Sequence, residues 1–460
     1  MKIYPFLILI SLFIMSCNSE NTPSEMDTIK EVPVKIMTLD PGHFHAGLVQ
    51  KFMYDQVDPV VHVYAPEGPD VADHLKRIEG YNNRADNPTS WEEKVYTGAD
   101  FFEKMLAEKP GNVMLVAGKN SKKTEYIKSA IDAGINVLAD KPMVVKPENF
   151  ELLKAAFAAA EEKGVLLYDV MTERHEITTI MQKELSQIPA VFGKQENGSP
   201  EDPAITKESI HHFFKYVSGA PLQRPGWFFD VDEQGEGVVD VSTHLVDLVF
   251  WECFPEQILD YEKDIEMVAA RRWGTELTPT QFSRVTSLRP YPPYLQKDVI
   301  RDSILNVYSN GEIVFKVNGV HAKVSVIWNY EAPEGAKDTH YSIMRGTQAN
   351  LVIRQGAEQN YQTTLYVEPV GETPEGFEQN LTQAVKDKIA AKYPGLDLKP
   401  STNGWEIIIP DEYKVGHEAH FAQVTEKFLQ YLEEGKLPDW EVPNMIAKYF
   451  VTTTGYQLSR

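Results

Sequence analysis

The stretch AGINVLADKPMVV, Ala133–Val145, joins a helix end to a short apolar run and stops on Asp140, Lys141 and Pro142. The apolar part has the length of a buried strand, and a proline, which has no N–H to give a neighbouring strand, predicts its end. The same rhythm repeats on both sides. Candidate strands are Val34–Leu39 (VKIMTL), Val60–Tyr64 (VVHVY), Val113–Val116 (VMLV), Ile135–Leu138 (INVL) and Val165–Val170 (VLLYDV). Helix candidates alternate with them at Ala46–Tyr54, Asp70–Glu79, Asp100–Glu108, Lys122–Ala133 and Pro147–Lys163. The last has Phe150, Leu153 and Phe157 on one face, a proline in its first turn and Gly164 where a C-cap glycine belongs. Such alternation predicts an α/β domain, a doubly wound parallel sheet with helices on both faces and a ligand site at the carboxyl ends of its strands. Lys141 then stands at that edge.

From about Glu173 the pattern changes to longer strand-like runs, Glu312–Val317, Ala322–Asn329 and Asn350–Arg354, with turn-rich stretches such as RPYPPY at Arg289–Tyr294. This predicts a second α+β domain, residues 173–460, with a large, mainly antiparallel sheet. Val415–Gly435 reads as a helix with Phe421, Val424, Phe428 and Leu432 on one face. The first domain is expected over residues 33–172.

The chain starts with MKIYPFLILISLFIMS, Met1–Ser16, one lysine and an apolar core too short to span a bilayer, followed by Cys17. This is the pattern of a secretory signal, and Cys17 stands where a bacterial lipoprotein is cleaved and acylated. An ordinary signal peptide cut nearby is the plainer reading. Either way export is expected, to a bacterial cell envelope, lipid-anchored and facing the periplasm or the surface. Residues 18–32 read as a flexible tether. Cys253 is the one other cysteine, so stability has to come from core burial and not from a disulfide once Cys17 is acylated. With 67 acidic and 45 basic residues the formal charge is −22, which argues against nucleic acid or an anionic membrane surface as the main partner.

Two further stretches bear on chemistry, the first of them only weakly. LDPGHFHAG, Leu39–Gly47, follows the first strand, where a dinucleotide fold places G-x-G-x-x-G so that backbone can approach a pyrophosphate. Gly42 and Gly47 are present, while Asp40 and His45 occupy the other two places. A plain turn and helix cap would explain the loop equally well. His43 and His45 are read as pocket lining or capping, and no metal site is expected, because no carboxylate or thiol nearby in the sequence completes a ligand set. Glu67, past the end of strand two, is the candidate for a ribose hydroxyl. The second stretch is GEGVVDVSTHLVDLVFW, Gly235–Trp251. Asp240 and His244 are four apart and Asp247 three further on, so on one helix both carboxylates could border His244 and raise its basicity.

ADKP, after a helix and a strand and before a long amphipathic helix, is similar to the E-K-P motif of the Gfo/Idh/MocA oxidoreductases. GVVDVSTHLVDL resembles that family's D-x-x-x-H-x-x-D motif, at about the right distance along the chain. The resemblance covers most of residues 33–354 and points to a lipoprotein branch with an extended C-terminal domain. It implies a Rossmann-like first domain that binds NAD or NADP, held tightly if the protein works outside the cytoplasm. It implies Lys141 beside the nicotinamide and the reacting hydroxyl, His244 as the proton acceptor and Asp240 as its partner or a sugar ligand. Asn120 matches a family asparagine after strand four. Asp140 replaces the motif glutamate, keeping the carboxylate with one methylene less reach. With Asp40, Gly42, His43, His45 and Glu67, these residues form the expected cofactor site. Arg174, Lys215, Trp227 and Asp247 are the expected substrate contacts, although aromatics such as Trp227 and Phe228 are more often core. His417 and His420 share a helix face, a common chance pairing. The activity implied is oxidation of a secondary hydroxyl of a sugar, glycoside or polyol by hydride transfer. A redox-neutral glycosidase, lyase or epimerase that uses the cofactor transiently is the alternative, and a non-catalytic carbohydrate-binding envelope lipoprotein the third. The expected partners are the sugar-type substrate, the membrane through a lipid anchor only, and a second copy of the chain.

Overall fold

The computed structural model describes residues 34–460 apart from 218, 219 and 334, so the expected signal, Cys17 and the tether lie outside the described residues. The first sheet consists of β1 (Ile36–Leu39), β2 (Val60–Ala65), β3 (Glu92–Thr97), β4 (Val113–Val116), β5 (Asn136–Asp140) and β6 (Leu167–Val170). Their order is β3-β2-β1-β4-β5-β6 and every neighbouring pair is parallel. Helices α1 (His45–Val49), α2 (Pro69–Asn83), α3 (Phe101–Glu108), α4 (Lys123–Asp132) and α5 (Phe150–Lys163) are the crossovers. β4 reads VMLV with all four residues buried, as a strand covered on both faces requires. α5 ends at Gly164 with φ +63, the left-handed cap its sequence predicts.

β3 has no counterpart in the sequence reading. It is the edge strand, EEKVYT, with no fully buried residue, so its apolar signal is too weak to separate from a loop. β5 runs on to Asp140, which pairs with Val170, so the charged corner begins inside the strand and not after it. The chain lays β2 and β3 on one side of β1 and β4 to β6 on the other, so the loops after β1 and β4 stand at the switch point where such sheets take their ligands, joined there by the His43 N–H donating to the Ala117 carbonyl at 3.1 Å. Gly118 in the β4 loop lies so close to the Asp40 carbonyl that any Cβ there would overlap it.

The second sheet has β7 (Ile205–Phe214) near its middle, paired parallel with Val320–Glu331 and antiparallel with Thr339–Arg345. All its other pairings are antiparallel, from Ile265–Leu277 at one edge to Asp397–Ser401 at the other. A helix at Ser242–Cys253 packs on this sheet, nine of its twelve residues buried.

The C-terminal end of the chain crosses back to the first sheet. The helices His417–Glu434 and Glu441–Leu458 return to the first sheet, and Phe421, Val424, Phe428, Met445 and Tyr449 lie in its core. Phe428 stacks on Tyr168 with ring centroids 6.1 Å apart. Removal of a Phe side chain from water contributes about 1.5–3 kcal/mol, so these residues give the terminal helices a strong reason to leave the second domain. A buried polar chain fixes where they dock. The Lys448 ammonium donates to Asp169 on β6 at 2.8 Å and to Asp247 at 2.9 Å, while the Tyr449 hydroxyl donates to Asp169 at 2.7 Å. Asp247 is held bidentately by Arg174 at 2.6 and 2.7 Å, and Arg174 also donates to Glu441 at 2.7 Å. Each charge has an opposite partner, and removing Lys448 leaves Asp169 in the interior with the Tyr449 hydroxyl but no cation, and Asp247 with Arg174 alone.

Lys448→Ala is therefore expected to cost about 3–5 kcal/mol, read as a lower urea midpoint at unchanged slope. A loss below about 1 kcal/mol would show that the chain of charges does not hold the terminal helix.

Candidate functional site

At the carboxyl edge of the first sheet, Lys141 donates from Nζ to Asp240 Oδ1 at 2.7 Å. The two side chains are 11 % and 8 % exposed. The other oxygen of Asp240 accepts from Gln234 Nε2 at 2.9 Å. Asp240 does not lie on the helix with His244. It belongs to the turn before Ser242–Cys253, and its N–H donates to the Glu236 carbonyl. The glycines of GEGVVD place that turn. Gly235 takes φ +96, and Gly237 lies against the Ser309 backbone so closely that a Cβ would overlap the carbonyl. The Gly237 N–H donates to the Tyr308 carbonyl at 3.0 Å, which pins the turn to the second sheet.

His244 stands in the first turn of that helix, with Nδ1 buried and without a partner. Burial, and next the Lys141 ammonium, hold its pKa well below the usual imidazole range. This corrects the expectation of a carboxylate-bordered, more basic histidine: Asp240 is turned to Lys141 and Gln234, and Asp247 to Arg174 and Lys448. A neutral imidazole is nonetheless the form that can accept a proton.

Most of the expected cofactor residues lie on the loops after β1 and β4 and at the end of β5. Asp40 takes φ +45, the conformation a glycine would have at that place, and burial raises its pKa. Glu67 is exposed beyond the end of β2. Asn120 follows β4, and its amide donates from Nδ2 to the Gln234 carbonyl at 2.6 Å while Oδ1 is buried and unpartnered. Gln234 Oε1 is a second buried acceptor without a partner. A ligand that brings hydrogen-bond donors to this edge, as a nicotinamide carboxamide and ribose do, fits those two oxygens. Asp140 accepts from His45 Nδ1 at 3.0 Å, with His43 Nδ1 3.7 Å from the same oxygen. The carboxylate judged missing near the two histidines is thus supplied from 95 residues away.

Three expected substrate contacts are used otherwise. Arg174 and Asp247 are spent on each other in the buried charge chain. Trp227 is buried, and its indole N–H donates to Asp70 at 3.1 Å, so it links the second domain to the first turn of α2 rather than offering a free face to a sugar. Lys215 lies just past β7 and pairs with Asp338. His212 Nδ1 is 2.9 Å from Asp338, and His211 Nδ1 3.5 Å. His211 stacks on Trp328 at 4.8 Å, and Arg224 lies over the same ring at 5.1 Å. His211 is near enough to Lys141 for the ammonium to lower its pKa, after burial has done most of that. Asp338, His211 and Arg224 were not singled out from the sequence; the period-2 burial of β7 was the available signal, and it says only which face is inward.

Comparison with known proteins follows this geometry. Residues 42–170 match a model described as "Oxidoreductase family, NAD-binding Rossmann fold" (GFO_IDH_MocA), and residues 181–460 one described as "Putative oxidoreductase C terminal domain". The chain belongs to the Gfo/Idh/MocA family of NAD(P)-dependent oxidoreductases. A crystal structure from Parabacteroides merdae ATCC 43184, described as a "putative oxidoreductase", is 60% identical, with 93% of this chain and 97% of that chain covered and a TM-score of 0.91. Two more distant Gfo/Idh/MocA-like folds are a levoglucosan dehydrogenase in complex with NADH and levoglucosan (12% identity, 93% and 97% covered, TM-score 0.56) and KijD10, a 3-ketoreductase from Actinomadura kijaniata in complex with NADP and TDP-benzene (13%, 91% and 96%, TM-score 0.54). At such identities the likeness is one of fold. Comparison with curated proteins gives no match. In this Gfo/Idh/MocA chain the turn of Gly237 is what delivers Asp240 to Lys141. Gly237→Ala is expected to destabilise the protein by roughly 1–3 kcal/mol and to lower turnover, because the backbone must move to admit the Cβ. Unchanged melting and turnover would show that the turn has room to spare.

Proposed function

We propose that this family member oxidises a secondary hydroxyl of a sugar, glycoside or polyol, with Lys141, Asp240 and His244 handling the hydroxyl proton. The observation that carries the reading is the Lys141–Asp240 pair beside a neutral, partly unpartnered His244, at the sheet edge where the fold positions a nicotinamide. NAD or NADP, when bound, supplies the hydride acceptor, and that chemistry is the cofactor's own. Asn120, with its free carboxamide oxygen, would help hold it, together with the Asp40–His45 loop and Glu67. Lys141 Nζ donates to the substrate oxygen and opposes the charge that grows there as its proton leaves. Asp240 anchors the ammonium, and Gln234 in turn anchors Asp240. His244 receives the hydroxyl proton on its imidazole; the low pKa keeps it unprotonated and ready at neutral pH. On the opposite wall, Lys215, Asp338, His211 and Arg224 offer the donors and acceptors that a polyhydroxylated substrate needs.

The runner-up is a redox-neutral glycosidase, lyase or epimerase, in which the ring hydroxyl is oxidised and later re-reduced in one turnover. A specific feature favours a retained cofactor. Asn120 N–H donates to the Glu233 carbonyl at 2.8 Å and Trp227 donates to Asp70, so the second domain is fastened to the loop after β4 and to the first turn of α2. An exported lipoprotein, anchored through Cys17 in a bacterial envelope, would gain from such retention, and we include that location in the proposal.

Protein purified without added nucleotide and then denatured is expected to release NAD(H) or NADP(H). No release, together with no affinity for either nucleotide in titration, would end both enzymatic readings. With a sugar substrate in hand, Lys141→Ala is expected to lose about 10²–10⁴-fold in turnover while keeping nucleotide binding; full turnover in that variant removes Lys141 from the mechanism. NADH accumulation in step with substrate loss supports net oxidation, and cleavage without accumulation the runner-up.

The pH dependence has a definite sign. A base whose pKa is depressed stays neutral as pH falls through the ordinary histidine range, so kcat/KM is expected to hold to well below pH 6.5 before declining. An acid limb centred at or above 6.5 would argue against His244 as the base.

A further inference from the structure

We propose that His43, His45 and Asp140 form a three-ligand site for a divalent transition-metal ion. The donor atoms of the three side chains all lie within 4.8 Å of one another. Asp140 Oδ2 is 3.0 Å from His45 Nδ1 and 3.7 Å from His43 Nδ1. A tetrahedral ion with bonds of about 2.0–2.2 Å holds its ligands roughly 3.3–3.6 Å apart, so the two distances to Asp140 lie on either side of what the ion needs.

An independent observation points the same way. The Asp140 side chain is 7 % exposed, yet its Oδ1 is buried without any partner. A hydrogen bond from His45 alone satisfies one oxygen and leaves the other to bear its desolvation cost, whereas an ion can use either. The loop is shaped for the task as well. Phe44 turns outward, 40 % exposed, while the imidazoles on either side of it face each other edge-on at 4.0 Å. His417, on the helix that returns from the C-terminus, stands with its ring centroid 5.3 Å from that of His45, a fourth donor within side-chain reach.

Two imidazole nitrogens and one carboxylate oxygen suit Zn²⁺, Co²⁺ or Fe²⁺ rather than Mg²⁺ or Ca²⁺, which prefer oxygen alone. The charges nearby allow it. Lys123 is committed to the Asp140 backbone carbonyl at 2.8 Å and Lys141 to Asp240 at 2.7 Å, so neither occupies the carboxylate. The ion would replace the hydrogen bond between His45 Nδ1 and Asp140, with the single proton of the neutral imidazole carried on Nε2. The ion site stands or falls without reference to the oxidoreductase reading.

The test uses the full chain without a histidine tag, stripped with chelator and titrated with Co²⁺ by visible absorption. One equivalent is expected to bind with the intense bands of a four-coordinate ion and to be displaced by Zn²⁺. His43→Gln and Asp140→Asn are each expected to weaken binding by at least about 100-fold with a native melting profile. Failure of the wild-type protein to bind, a weak six-coordinate spectrum, or His43→Gln binding as tightly as wild type would overturn the site. Should a variant melt early, the wild-type stoichiometry and spectrum decide on their own. Nucleotide release, measured on the same stripped protein, separates loss of the ion from failure of the cofactor reading.

Discussion

A lysine at the end of one sheet and an aspartate held against the other meet at 2.7 Å, 99 residues apart in the chain, and much of the site depends on that contact. A nearly buried ion pair is a weak source of net stability, since desolvation of two charges offsets most of their attraction. What it provides is position. If either partner is absent the other is a charge without a counterion, so the arrangement in which the two sheets meet with Lys141 opposite Asp240 is strongly preferred over neighbouring ones. After burial, the same ammonium is the main influence that keeps His244 neutral.

The buried chain from Asp169 through Lys448 and Asp247 to Arg174 and Glu441 plays a matching part behind the site. It connects β6, the segment that follows it, the His244 helix and the terminal helix. Asp247 therefore serves the site indirectly. By fixing the helix three residues beyond His244 it sets where the imidazole stands, without touching it. The terminal helices close the first domain's core from the far end of the chain.

Local patterns in the chain were enough for the sheet, because four or five consecutive apolar residues bounded by helix signals leave few alternatives. They were enough for Lys141, because a charge after such a run must lie at the strand's carboxyl end. They failed where the deciding partner lies far along the chain. A spacing of four between Asp240 and His244 suggests a shared helix face only if both are helical, and the Gly235–Gly237 turn starts the helix too late for that. Arg174 and Asp247 look like pocket residues because buried charges are rare; only the fold reveals Lys448 and Glu441 as their partners. β3 was lost for the opposite reason, being too exposed to carry an apolar signal.

The loop after β1 shows the limit of motif reading most clearly. Judged as a dinucleotide fingerprint it is defective, with Asp40 and His45 in two of the three glycine positions. Judged by its backbone it is sound: Asp40 adopts φ +45 and the chain still turns tightly, with Gly42 N–H donating to the Asp40 carbonyl at 2.8 Å. The substitutions thus alter the chemistry of the loop more than its path. Aspartate tolerates the left-handed conformation better than most residues, because its short side chain bonds locally, so the loss of a glycine there costs little. What the loop gains is a pair of imidazoles directed at Asp140. Since Asp140 also stands where the family motif has the longer glutamate, the two departures from the pattern meet at one place in the fold.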